Sequence, residues 1–212
     1  MRTLQVPYIE GLAEKDDASF TLAMEENGSR FYIDQVGWPD TYPYCPATSG
    51  TLAWCKDGIA IHFHVRGLDL RACNLEDNGR QWEDSCCEFF VEGPEGYYNF
   101  EINCIGKILG AMGPAREGRT RQSQENLDRI RRITSLPVAG VERSGEICTW
   151  DVAVLIPFDL FGAAPHVISL RANFYKCGDK TAHPHFVSWS PVDSPKPDFH
   201  RPDCFGELIL LP

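Results

Sequence analysis

Residues 80–104 read RQWEDSCCEFFVEGPEGYYNFEINC, and the rest of the chain is best understood outward from them. Gly93-Pro94-Glu95-Gly96 is a loop tetrapeptide between two runs of strand-forming residues, so the stretch predicts a β-hairpin. Side chains alternate faces along a strand. In the first arm Cys87, Phe89 and Val91 form an apolar set, while the even positions include Glu88 and Glu92. In the second arm Tyr98, Phe100, Ile102 and Cys104 are the apolar set, and Tyr97, Asn99, Glu101 and Asn103 share the other face. A four-residue loop pairs Glu92 with Tyr97, Phe90 with Asn99 and Glu88 with Glu101; a bulge would shift that register. Like charges directly opposite are destabilising, so the pairing calls for a compensator: Arg171, Arg66, a cation or a shared proton. Trp82 precedes Glu88 by about 20 Å of extended chain, so the two reach one pocket only if 82–85 turns.

The same alternation recurs elsewhere. Residues 58–66 bury Ile59, Ile61, Phe63 and Val65 and turn out His62, His64 and Arg66. Residues 167–176 bury Ile168, Leu170, Ala172 and Phe174 and turn out Ser169, Arg171, Asn173 and Tyr175. Plain solvent-facing strands carry Thr, Lys and Glu; these carry planar donors and acceptors, which suits either a wet outer face or a ligand-binding one. Further candidate strands are 18–25, 50–55, 147–156, 185–190 and 205–211, with turn clusters between them. One short helix is expected at 122–133, where Leu127, Ile130 and Ile133 fall at helical spacing. The fold class expected is therefore all-β: an antiparallel β-sandwich of jelly-roll type, one domain over 1–212, with a single short helix in a connection. Long segments at 37–49, 67–85 and 191–204, rich in Pro, Asp and Trp or Tyr, are candidate binding loops.

The formal net charge of −10 disfavours nucleic acid and anionic membrane as partners, because both need a basic surface. Six arginines in GPAREGRTRQSQENLDRIRR, residues 113–132, run against that average. They suit the solvated face of the short helix or an anion-binding loop. The amino terminus lacks the apolar block of a secretory signal, so a cytoplasmic protein is expected. Nine cysteines, an odd number without C-x-x-C or C-x-x-H spacing, read mostly as buried small hydrophobes. The oligomeric state is not set by these features.

With Trp82, Glu88 and the polar strand faces in view, the chain resembles the family 9 carbohydrate-binding modules, and more closely the bacterial family 9-like proteins, over roughly residues 50–212. QWEDSCCEFFVE carries a Trp followed six residues later by Glu at the opening of a strand. Phe100-Glu101-Ile102-Asn103 matches an aromatic–x–aliphatic–Asn pattern, and NFYKCGD, HFVSWSP and DFHRPDCFGELIL look like the closing strands. The resemblance implies a sandwich that binds a mono- or oligosaccharide between two tryptophans without catalysis. It implies Trp82 as one stacking platform, Trp38 as the candidate for the second, and Glu88, Asn103 and Asn173 as hydroxyl partners. Where the family has an arginine two positions before the Asn, this chain has Glu101, so either Arg171 takes that role or the ligand differs. No glycosidase or export signal accompanies the stretch, which favours a soluble ligand. The resemblance also implies possible structural calcium, for which Asp69, Asn74, Asp77 and Asn78 offer oxygens.

Three rivals stand beside that reading. Glu88 and Glu101 opposite each other have the approximate separation of a retaining glycosidase pair. His62 and His64 share a face, and His183 and His185 add two more imidazoles, so a metal-dependent enzyme is a second rival. A haem site using Met24 or Met112 is the third.

Overall fold

The computed structural model of the chain describes residues 1–163 and 168–212. Its elements in chain order are β1 (Thr3–Val6), α1 (Asp17–Asn27), β2 (Ser29–Tyr32), β3 (Gln35–Val36), β4 (Ala47–Cys55), β5 (Gly58–Ala72), β6 (Cys86–Gly93) and β7 (Gly96–Asn103). They continue with β8 (Ile108–Gly113), β9 (Thr120–Arg121), α2 (Gln124–Asp128), β10 (Arg131–Thr134), β11 (Val141–Pro157), β12 (Ser169–Cys177), β13 (Phe186–Ser188) and β14 (Gly206–Leu210). One sheet runs β1-β14-β12-β6-β7-β8-β9, with β13 beside β12 and β3 beside β13; the other runs β10-β11-β5-β4-β2. All the pairings are antiparallel except β1 with β14. The chain is a β-sandwich, as its alternation predicts.

The hairpin register is the one expected: Glu92 faces Tyr97, Phe90 faces Asn99 and Glu88 faces Glu101. β6 then pairs on its other side with β12, placing Asn173 beside Phe90 and Tyr175 beside Glu88. Cys87, Phe89 and Val91 of β6, Phe100 and Ile102 of β7, and Leu170, Ala172 and Phe174 of β12 all enter one core with Ile59, Ile61, Phe63 and Val65 of β5. Phe174 is its centre: its ring stacks on Phe31 at 4.3 Å and on Phe89 at 5.3 Å, with the Trp189 edge at 5.6 Å. Six of the nine thiols are buried and all nine are unpaired.

Four expectations need correction. Residues 18–25 are not a strand but belong to α1. Asp16 caps that helix, its carboxylate accepting from the Ser19 N–H at 2.8 Å. Its buried residues Phe20, Ala23 and Met24 follow helical spacing, while Leu22 is exposed. The helix expected at 122–133 stops at Asp128, because Arg131–Thr134 are drawn into the sheet as β10, with Ile133 opposite Ala153. Ile168 is 77% exposed, outside the core assigned to it, and Val167 lies outside the described residues. Finally, the start of the segment 67–85 continues β5 to Ala72, leaving a shorter loop. Among the described residues no helix is long and apolar enough to cross a membrane.

Phe174→Ala should cost about 3–5 kcal/mol of unfolding free energy, because the ring touches aromatics of both sheets and the cavity cannot collapse onto them. Urea unfolding measures this, and a loss under about 1 kcal/mol would show that Phe174 is not the centre of the core.

Candidate functional site

The outward faces of the two sheets lie on opposite sides of the sandwich, which separates residues that the alternation alone grouped together. His62, His64 and Arg66 project from β5 on the five-stranded sheet. Glu88, Glu101 and Tyr175 project from the other sheet. A single enzyme face combining the Glu88/Glu101 pair with His62 and His64 is therefore excluded. Met24, a candidate haem ligand, is wholly buried in the cluster under α1.

On the outer side of the nine-stranded sheet is a cavity of about 370 Å³. Trp82, Phe186 and Phe199 supply aromatic wall, and Glu88, Glu101 and Asp179 supply carboxyl groups. Asn99, Arg116, Arg119, Arg121 and His200 add to its polar lining, with Asp198 paired to Arg116 at 3.4 Å. Trp82 reaches the cavity because Gln81–Glu83 form a 3-10 turn just before β6, the turn that its meeting with Glu88 required. Phe199 and His200 come from the loop after β13, inside the segment 191–204 expected to bind.

The floor is built from alternate residues of β6, β7 and β12. Glu88 and Glu101 are 3% and 6% exposed, so water scarcely reaches either. Burial pushes the Glu88 carboxyl well above its ordinary range, and the facing Glu101 pushes it further. Burial likewise raises Glu101 to about 7, against a hydrogen bond from Asn99 that lowers it. Asp179 is raised to about 6, first by burial and then by Glu83. Of the compensators expected for the glutamate pair, Arg66 lies on the other sheet and Arg171 is engaged elsewhere; of the two that remain, a cation and a shared proton, the upward shifts accord with the proton.

Each carboxyl has one fixed partner. The Cys177 thiol donates to Glu88 Oε1 at 3.0 Å, and the Asn99 amide donates to Glu101 Oε1 at 2.9 Å. Arg119 sets the Asn99 amide: its Nε and Nη2 donate to Asn99 Oδ1 at 3.0 and 2.7 Å, which turns the amide N–H₂ towards Glu101. The same guanidinium stacks on the Tyr97 ring at 4.1 Å and donates to the carbonyls of Tyr97 and Ala115. Burial and the nearby Arg119 lower His200 to about 4, so it is neutral, and its Nδ1 lies 2.8 Å from the Tyr97 hydroxyl. Glu101 Oε2 is buried and makes no hydrogen bond within the protein.

Of the seven residues named from the sequence, three line this cavity: Trp82, Glu88 and Glu101. Asn103 and Asn173 do not. Asn103 is wholly buried, donates to Asn74 O and Asp84, and accepts from the N–H groups of Ile105 and Lys107. Asn173 accepts from the N–H groups of Phe174 and Ser190 and donates to Ser190 O. Both amides are spent within the protein, Asn173 on backbone alone and Asn103 on backbone and the Asp84 carboxylate. Arg171 pairs with Glu92 at 3.1 Å and donates to Pro202 O, so the arginine at the carboxyl pair is Arg119. Trp38 stands behind the wall, its ring edge against Phe186 and its Nε1 donating to Ser194 O at 2.7 Å.

The residues offered to calcium do not fit an ion that takes six to eight oxygens. The Asp69 carboxylate accepts from the His183 backbone and contacts its ring. Asp77 is held by Arg132, Gln124 and the Ile108 N–H, and Asn74 Oδ1 accepts from Arg80. Asn78 donates to Gln122 O, and its buried Oδ1 has no partner. These side chains brace the loop instead.

Asn99, Arg116, Arg119, Arg121, Asp179, Phe186, Phe199 and His200 were not foreseen as site residues. Asn99 was visible as a member of the polar face; Arg121 closes β9 and Phe186 opens β13, and the others arrive from connections whose course the sequence does not state.

A structure described as a candidate carbohydrate-binding protein from Bacteroides uniformis is 37% identical, with a TM-score of 0.90 over 99% of each chain. A family 9 module from Caldicellulosiruptor kristjanssonii, solved with glucose, is 14% identical with a TM-score of 0.60 over 99% of this chain and 96% of its own. The same organism's module with cellotriose is 12% identical, with a TM-score of 0.57 over 99% and 93%. No curated protein matches the chain. The sequence model of the family described as carbohydrate-binding family 9 matches residues 17–210, and the chain belongs to that family.

Proposed function

We propose that the cavity floored by Glu88 and Glu101 binds a soluble mono- or oligosaccharide without catalysis. The observation that carries this is the pairing of aromatic walls with buried carboxyl groups in one cavity. A sugar ring offers C–H faces that pack on aromatics and hydroxyls that need both donors and acceptors. Trp82, Phe186 and Phe199 supply the first kind of surface. A protonated carboxyl is both donor and acceptor, and Glu101 Oε2 has no competing partner in the protein. The volume of about 370 Å³ is at the small end of ligand pockets, room for about one or two sugar rings.

Binding is favoured over glycoside hydrolysis by the state of the carboxyl pair. A retaining glycosidase needs one ionised nucleophile beside one acid. Here no cation contacts either carboxyl among the hydrogen bonds and ion pairs of the described residues, so none holds one of them as the ionised nucleophile. Arg119 acts on Glu101 only through Asn99. The related modules solved with glucose and cellotriose make these sugars the first probes.

Calorimetric titration with glucose, cello-oligosaccharides and other sugars, with free and reduced ends, should find a saturable ligand. Trp82→Ala should weaken it by about tenfold or more, which corresponds to about 1.4 kcal/mol. A folded wild type that binds none of the panel, or a Trp82→Ala variant that binds as well as wild type, sinks the reading.

The protonated floor has its own test in stability. Glutamate in the unfolded chain keeps its ordinary value of 4.5, whereas folded Glu101 titrates at about 7. Between those values the folded state holds the proton more tightly. That contribution is complete below 4.5 and is lost as pH climbs through about 7. Glu101→Gln, which keeps an acceptor for Asn99, should therefore gain melting temperature over wild type by a few degrees as pH rises from about 5 to about 8. Melting curves that stay parallel across that range would show that Glu101 does not titrate abnormally.

A further inference from the structure

On the far side of the sandwich, α1 lies over the outer face of the five-stranded sheet and brings Glu25 onto His62 and His64. Glu25 Oε1 is 2.8 Å from His64 Nε2 and 3.1 Å from His62 Nδ1, and the two imidazole rings are 4.0 Å apart. The three atoms lie within 4.8 Å of one another. His62 Nε2 is 3.1 Å from Asp151 Oδ1 on the neighbouring strand β11. A carboxylate there holds the Nε2 proton, which leaves Nδ1 as a lone pair.

That lone pair faces a carboxylate oxygen. His62 is 4% exposed, its Nδ1 makes no hydrogen bond, and what stands 3.1 Å from it is another acceptor. Two acceptors at that distance repel unless something positive sits between them. Glu25 Oε2 is already taken by Arg30 at 2.7 Å, and Thr51 donates to Oε1 at 3.1 Å, so neither cation nor hydroxyl reaches His62 Nδ1.

We propose that His62 Nδ1, His64 Nε2 and Glu25 Oε1 form a binding site for a divalent transition-metal ion of the zinc class, with Asp151 orienting His62 from behind. Two imidazole nitrogens with one carboxylate oxygen suit zinc and its neighbours and not calcium or magnesium. Metal–ligand bonds of about 2.0–2.1 Å at tetrahedral angles put ligand atoms roughly 3.3 Å apart, a small widening of the contacts present. A carboxylate on the far nitrogen of a ligating histidine is the usual outer support of such a site. Side chains of Glu25 and His64 are 31% and 32% exposed, so the ion has a path in and a fourth position open to water. The site is independent of the sugar cavity, which lies on the other sheet.

The test uses the full chain stripped with a chelator and titrated with zinc alone, calorimetrically and against a chromophoric zinc indicator. One equivalent should bind, calcium should not compete, and zinc should raise the melting temperature. His64→Gln and Glu25→Gln, both at partly exposed positions, should each weaken zinc about tenfold or more. Asp151→Asn should weaken it by about ten- to a hundredfold. His183→Ala, removing an imidazole in the connection between β12 and β13 that contacts Asp69 and not the three ligands, should leave the affinity unchanged. Cobalt in place of zinc should give the visible absorption of a tetrahedral nitrogen–oxygen site. Failure of zinc to bind at one equivalent, or binding that survives His64→Gln and Glu25→Gln at wild-type strength, overturns the proposal.

Discussion

Phe174 sits between Phe89 of its own sheet and Phe31 of the opposite one, and the placement of everything functional depends on that stack. Strand side chains alternate, so fixing Phe89 and Phe174 inward fixes Glu88, Tyr175 and Cys177 outward. A slip of one residue in β6 would turn Phe89 out of the core and Glu88 into it. The aromatic stack thus sets the register, and the register sets which carboxyls meet across β6 and β7. Apolar packing on one face decides the chemistry of the other.

The outer face would be an ordinary wet one if nothing covered it. The chain after β13 folds back across it, and Val192, Phe199 and Phe205 pack with Phe90, Tyr97 and Tyr175 to form a second apolar layer. Tyr175 and Phe199 stack at 4.1 Å with nearly parallel rings. This layer removes water from Glu88 and Glu101 while leaving a space beside them. Their raised proton affinity follows from that cover, because a carboxylate loses far more than a carboxylic acid on leaving water.

The hairpin, its register and the sandwich were legible in 80–104 because period-two alternation and the GPEG loop act locally. α1 was misread for a physical reason: Ala18, Phe20, Leu22 and Met24 alternate like a strand, yet Phe20, Ala23 and Met24 also lie on one face of a helix. Short apolar runs satisfy both periods, and here Asp16 as N-cap was the deciding residue. Trp82 was found through the resemblance, Glu101 through strand parity, and Glu88 through both. Asn103 and Asn173 were assigned to a ligand because an outward amide on a strand looks the same whether it meets a sugar or a buried backbone. Arg119 was lost among six arginines, since nothing local says that one of them lies over Tyr97 and turns Asn99. The places of Phe186 at the start of β13 and of Phe199 in the loop after it depend on long-range packing that no short window contains.

The carboxyl floor is not explained by stability. Two glutamates opposite each other in a dry site cost the fold through desolvation, and whatever proton they retain is held against the pull of neutral water. A glutamine at 101 would keep the bond from Asn99 and avoid both costs. The arrangement around the pair points the same way: Arg119 is saturated by carbonyls and Asn99, and Cys177 supplies a weak neutral donor to Glu88. Arg116 and Arg121 stay exposed at the cavity's edge. Among the described residues no side-chain cation bonds either glutamate, although three arginines line the same cavity. Costs of this kind persist where a group has work beyond holding the fold, and the unpartnered Glu101 Oε2 marks the atom at which that work is available.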